Sequence, residues 1–122
     1  MAAGVTKPQY DLEDRTYRFA MRVRDFVRGL PRTICNIEDV KQLARSSNSV
    51  GSNYIEANEA LSKKDFRMRI KICRKESKES AYHLRLLDTR GREELEQERD
   101  NLIQEATEFV KIFNAILRNS EE

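Results

Sequence analysis

Gln42-Leu43-Ala44-Arg45-Ser46-Ser47-Asn48-Ser49-Val50-Gly51-Ser52-Asn53-Tyr54-Ile55-Glu56-Ala57 is the stretch on which the fold turns. Its middle, from Ser46 to Asn53, is built from Ser, Asn and Gly, which are poor helix formers, so local preference allows a loop. The apolar pattern argues otherwise. Val40 and Leu43 before the cluster are in helical phase with Tyr54 and Leu61 after it. Ile37, Ala44, Ser47, Val50, Gly51 and Asn58 fall on the same side. This phase predicts one continuous helix over residues 37–61, with small residues that let a neighbouring helix approach closely.

Three further segments share the period. Leu12, Phe19, Val23, Phe26 and Leu30 form a stripe that Pro31 ends. Phe66, Ile70, Cys73, Ser77, Ala81 and Leu84 form another. After Gly91 come Leu95, Leu102, Ala106, Phe109, Val110, Phe113 and Leu117. No period-two pattern competes, so strands are not required. Asp11 with Asp14, Asn36 with Asp39, and Ser62 with Asp65 each place a capping side chain three residues before an acid, which marks helix starts. Short connections make successive helices antiparallel. The expected fold is all-α: an up-and-down antiparallel four-helix bundle with helices over 12–30, 37–61, 63–88 and 92–118. It fills residues 11–119, between a flexible segment 1–10 and a tail 120–122.

Composition agrees with one compact domain. The chain has 122 residues, 39% hydrophobic and 36% charged, with four Gly and two Pro, a balance typical of exposed helices. The opening residues lack a secretion signal, and no apolar run is long enough for a membrane span. A cytoplasmic protein without a membrane partner is therefore expected. Cys35, Cys73 and the one histidine, His83, show neither zinc nor redox spacing, and both cysteines read as free thiols.

The net charge of +2 hides a strong segregation. From Ser62 to Arg90, ten basic residues stand against four acidic; from Gly91 to Glu122, four stand against nine. Lys64, Arg67, Lys71, Arg74, Lys75, Lys78 and Arg85 share one side of the third helix. Two readings of this ridge are open. It can follow the phosphates of RNA or DNA, or it can pair with the acidic fourth helix. It lacks interleaved aromatics for base stacking. Met68, Ile72, Tyr82, His83 and Leu86 form a second apolar face opposite the core stripe, which points to a subunit interface or a protein partner. On the second helix Ser49, Asn53 and Glu56 form a polar face suited to close helix contact or to a polar ligand.

Catalytic patterns are missing. There is no second Glu-x-x-His unit for a di-metal bundle, no base positioned for a Ser or Cys nucleophile, and no phosphate-cradling Gly-rich loop. No enzyme activity, metal or cofactor is expected.

The run Gln42 to Ala57, with Ser62-Lys63-Lys64-Asp65-Phe66 and Lys75-Glu76-Ser77-Lys78-Glu79-Ser80, resembles the four-helix-bundle proteins encoded by intervening sequences within bacterial 23S ribosomal RNA genes. A Ser-Ile-x-x-Asn-Ile-x-Glu-Gly pattern is matched through Ser49, Val50, Asn53, Tyr54, Glu56 and Ala57, with Tyr54 and Ala57 departing from the commonest form. The resemblance implies a helical homo-oligomer, typically a ring of five. In architecture the chain is also similar, more distantly, to the accessory variability proteins of diversity-generating retroelements, basic bundles that associate with nucleic acid. It supplies no catalytic or binding residues.

Overall fold

The computed structural model describes residues 8–121. Four helices follow one another: α1 (Pro8–Arg28), α2 (Ile34–Asn58), α3 (Lys63–Leu86) and α4 (Glu93–Asn119). α2 packs most extensively on α3, α3 on α4 and α1 on α2, while α1 and α4 close the bundle along its thinnest seam. This is the expected four-helix bundle. Residues 1–7 of the segment expected to be flexible lie outside the described residues, and residues 8–10 already belong to α1.

The core is one cluster fed by all four helices. Phe19 and Val23 come from α1, Leu43, Val50 and Tyr54 from α2, Ile70, Cys73 and Leu84 from α3, and Leu102, Ala106, Phe109 and Phe113 from α4. Aromatic rings run through its middle. Phe19 meets Phe109 edge-on at 5.4 Å between centroids, Phe109 lies 6.2 Å from Phe113, and Phe113 lies 6.0 Å from Tyr54. Edge and tilted contacts of this kind add to the burial of large apolar surface.

α2 runs unbroken through the Ser/Asn cluster. The side chains that favour loops instead bond carbonyls one turn back: Ser46 to Leu43, Ser47 to Ala44, Ser52 to Ser49 and Asn53 to Ser49. Tertiary contact supplies the rest. Ser46 and Ser80 share a buried hydrogen bond of 2.9 Å, and the Cys73 thiol donates to the Val50 carbonyl. Gly51 is needed for proximity, because a Cβ there would stand 2.9 Å from the Thr16 hydroxyl oxygen on α1.

The ends correct three sequence expectations. α1 begins at Pro8, so Asp11 lies inside the helix and not at its start. α2 begins earlier than Asn36: Thr33 caps it by accepting from the Asn36 backbone N–H at 3.0 Å. Asn36 is buried and serves a different end, donating to the Pro31 and Asp88 carbonyls and accepting from the Asp88 N–H, each at 2.9 Å. It thus clasps the α1–α2 connection to the α3–α4 connection, a long-range role that no local pattern encodes. Leu61, expected on the stripe of α2, lies beyond the helix and is 98% exposed. Ser62 caps α3 as expected, accepting from Asp65 at 3.0 Å. The α3–α4 turn places Arg90 and Gly91 at positive φ, which Gly91 adopts without strain.

Phe109→Ala should cost about 3–5 kcal/mol, measured by urea unfolding, because it empties the centre of the aromatic column. The two cysteines should behave differently. Cys35 is exposed, whereas Cys73 is fully buried and burial pushes its thiol up to about 12, so almost no thiolate exists near neutral pH. A maleimide at pH 7 should label one site per folded chain, at Cys35, and two only in denaturant.

Candidate nucleic-acid interface

The basic residues of α3 divide into two sets. Arg67 Nη1 donates at 2.6 Å to both the Leu117 carbonyl and the Ser120 hydroxyl, closing the C-terminal end of α4. Arg74 Nη1 donates to Asn114 Oδ1 at 2.9 Å. These two arginines are half-buried fasteners between α3 and α4. Lys64, Lys71, Lys75, Lys78 and Arg85 are exposed, and among the described residues none of them makes an ion pair. Shallow hollows along this row are lined by the lysines together with Met68 and Ile72.

Of the two readings left open for the ridge, pairing with α4 of the same chain is met at Arg67 and Arg74, through neutral acceptors and not through acids. The acids of α4 concentrate in its first half, and two of them turn to α1. Glu105 receives Arg15 in a two-point contact at 2.7 and 3.1 Å, and Glu98 receives Arg22 at 3.3 and 3.4 Å. Glu96 accepts from the Thr89 hydroxyl at 3.0 Å. α3 and α4 are antiparallel, with Arg67 at the level of Leu117 and Arg74 at that of Asn114. The lysine-rich start of α3 therefore lies beside the end of α4, which carries Lys111 and Arg118. Opposite charges are out of register, and the basic surface is left unneutralised. Segment totals left pairing open because they ignore position along the helix.

The second apolar face is present. Met68, Tyr82 and Leu86 are exposed, while Ile72 and His83 are half-buried. The Tyr82 and His83 rings stand near perpendicular, 5.5 Å between centroids, and among the described residues the shielded His83 Nδ1 has no hydrogen-bond partner. Four more large apolar side chains, Tyr17 and Met21 on α1 and Ile34 and Ile55 on α2, are exposed. The sequence reading passed over them because they interrupt polar faces singly.

The polar face of α2 has a structural use at Asn53. Its side-chain oxygen accepts from Arg69 Nη1 of α3 at 2.9 Å while its amide donates to the Ser49 carbonyl. Ser49 is half-buried and Glu56 is exposed, and the three do not converge on an enclosed site. A buried acid, Glu76, was not anticipated: it sits 6% exposed between α2 and α3, with Arg45 Nη1 3.5 Å away. The same guanidinium bonds Glu79 at 3.1 Å. A helical-wheel reading places Glu76 at the border of core and surface; Arg45 reaches it from α2 as an ion pair, while among the described residues its Oε1 has no hydrogen-bond partner. Among the described residues no group of His, Cys, Asp and Glu side chains has the arrangement to hold a metal ion, and no helix is long and apolar enough to cross a membrane.

Comparison with known proteins adds the family. A search of curated proteins finds no match. Among solved structures, the chain is similar to a protein with unknown function from the S23 ribosomal protein family of Bacteroides thetaiotaomicron. The identity is 28% and the TM-score 0.71, over 86% of this chain and 96% of that one. The family model for the 23S rRNA-intervening sequence protein matches residues 9–115, from the first turn of α1 to the last turns of α4. The chain belongs to the 23S rRNA-intervening sequence protein family.

Proposed function

We propose that the protein is a non-catalytic helical scaffold that binds nucleic acid through the lysine row of α3 and assembles with further copies of itself, in the ring of five that the resemblance implies. The nucleic-acid reading rests on one observation: Lys64, Lys71, Lys75 and Lys78 lie along one side of a rigid helix with no acid paired to them, while Glu98 and Glu105 of α4 are taken up by α1. Phosphates are the chemistry that such a row attracts, and each contact releases counterions. The family and the solved relative indicate no enzyme family. The buried thiol of Cys73 and the lone His83 supply no nucleophile with its base.

Assembly is supported by Met68 and Leu86. They stand about half exposed, at 54% and 49%, on a face that the bundle itself does not use.

Binding of a labelled hairpin RNA, followed by anisotropy, should weaken roughly a hundredfold between 50 and 200 mM salt if about four phosphates are neutralised. Changing Lys64, Lys71, Lys75 and Lys78 together to Glu should abolish it without altering the helical signal. Arg67→Ala with Arg74→Ala should instead lower stability by about 1–3 kcal/mol, since each removes a charge-assisted bond to α4. Hairpin affinity that ignores salt and survives the lysine changes would remove the nucleic-acid reading. If the lysine changes dissociate an oligomer instead, the row serves contact between copies. Native mass spectrometry at micromolar concentration should show a species larger than the 14.3 kDa chain, and Met68→Glu with Leu86→Glu should return it to monomer. A wild-type monomer under those conditions would remove the assembly.

A further inference from the structure

We infer that Tyr82 is a base-stacking platform at the end of the lysine row, so that the ligand of this surface is single-stranded nucleic acid. The inference rests on the nucleic-acid reading of the row and goes beyond it in naming the strand form and a contact residue. Tyr82 stands at the edge of the apolar face, and that edge borders the lysine row. At 100° per residue it falls within about 40° of Lys64, Lys71, Lys75 and Lys78. It is one turn beyond Lys78 and one turn before Arg85, so it interleaves with the cations and corrects the expectation that the ridge carries no aromatic among its charges.

The ring is available. Tyr82 is 58% exposed, and its hydroxyl makes no hydrogen bond among the described residues. Its one ring contact is edge-on, with His83 at 71° between planes. A single near-perpendicular neighbour covers at most one face of the ring, which leaves the other open to a base. Glu79, the acid one turn before it, is engaged by Arg45 at 3.1 Å, which reduces repulsion of a strand there. From Lys64 to Tyr82 the row spans about 27 Å at 1.5 Å per residue, room for several nucleotides whose phosphates follow the lysines. A phosphate track with an aromatic face on it is the arrangement by which proteins hold single strands without reading sequence. A duplex offers the same phosphates but keeps its bases stacked on one another, so the ring gains nothing from it.

The experiment compares an unstructured 12-nucleotide oligouridylate with a blunt RNA duplex of equal charge, by anisotropy at 50 mM salt, for wild type, Tyr82→Ala, Tyr82→Phe and the four-lysine variant. Tyr82→Ala should weaken oligouridylate roughly tenfold or more and leave duplex affinity unchanged. Tyr82→Phe, which keeps the ring, should bind as wild type does. Unchanged helicity and melting temperature for Tyr82→Ala would exclude a folding effect, as expected for an exposed side chain. Equal oligouridylate binding by wild type and Tyr82→Ala, or equal losses on strand and duplex, overturns the stacking role while the lysine row stands if the four-lysine variant fails to bind. Full binding by the four-lysine variant overturns the row itself, and this inference with it.

Discussion

Two ion pairs set the register on which the arrangement of the surface depends. Arg15 and Arg22 are seven residues apart on α1, Glu98 and Glu105 are seven apart on α4, and they meet in antiparallel order, Arg15 with Glu105 and Arg22 with Glu98. Each pair is partly exposed, so each contributes under about 1 kcal/mol. Their weight lies in choice of alignment. A shift of α4 by one turn would separate both pairs and move Phe109 from beneath the Arg15 guanidinium, which lies 5.3 Å from the ring centroid. Core burial makes the bundle stable, and the pairs help decide which of several similar dockings of α1 on α4 is adopted.

That alignment has a consequence two helices away. Glu98 and Glu105 face α1 and are therefore turned from α3. The antiparallel course of α3 also brings its lysine-rich start beside the part of α4 that holds Lys111, Asn114 and Arg118. Both effects leave Lys64, Lys71, Lys75 and Lys78 without an ion pair among the described residues. An unneutralised row of this kind costs stability through self-repulsion, which makes it informative: nothing in the packing of the bundle requires it.

Much of this was legible in the sequence, and what was not shares a cause. The four stripes, their lengths and the short connections gave the bundle, because core burial is periodic along the chain. Continuity of α2 through Ser46 to Asn53 followed from the phase of Val40, Leu43 and Tyr54, although the local residues favoured a loop. The errors lie where one residue answers to another far along the chain. Asn36 looked like a cap because capping is local, whereas its bonds run to Asp88. The burial of Glu76, on which the sequence pattern is silent, comes with Arg45 reaching it from α2. Whether the acids of α4 partner α3 was left open, because total charge carries no register. The family resemblance was also legible, through the Gln42 to Ala57 run, and it is now seen that the run's Asn53 spends its side chain on Arg69.

Arginine and lysine on α3 are not used alike, and the division follows their chemistry. A guanidinium is planar and can aim N–H groups at fixed acceptors, as Arg67 does toward the end of α4 and Arg74 toward Asn114. An ammonium is a compact, strongly hydrated charge on a flexible stem, suited to remaining in water until a mobile anion arrives. The half-buried side of α3 next to α4 carries Arg67 and Arg74, and the exposed side beyond it carries four lysines with one arginine, Arg85. A purely solubilising face would not need this order. A surface that must hold the bundle together along one edge and stay open to a phosphate chain along the next would be built this way, and Tyr82 stands on the open edge.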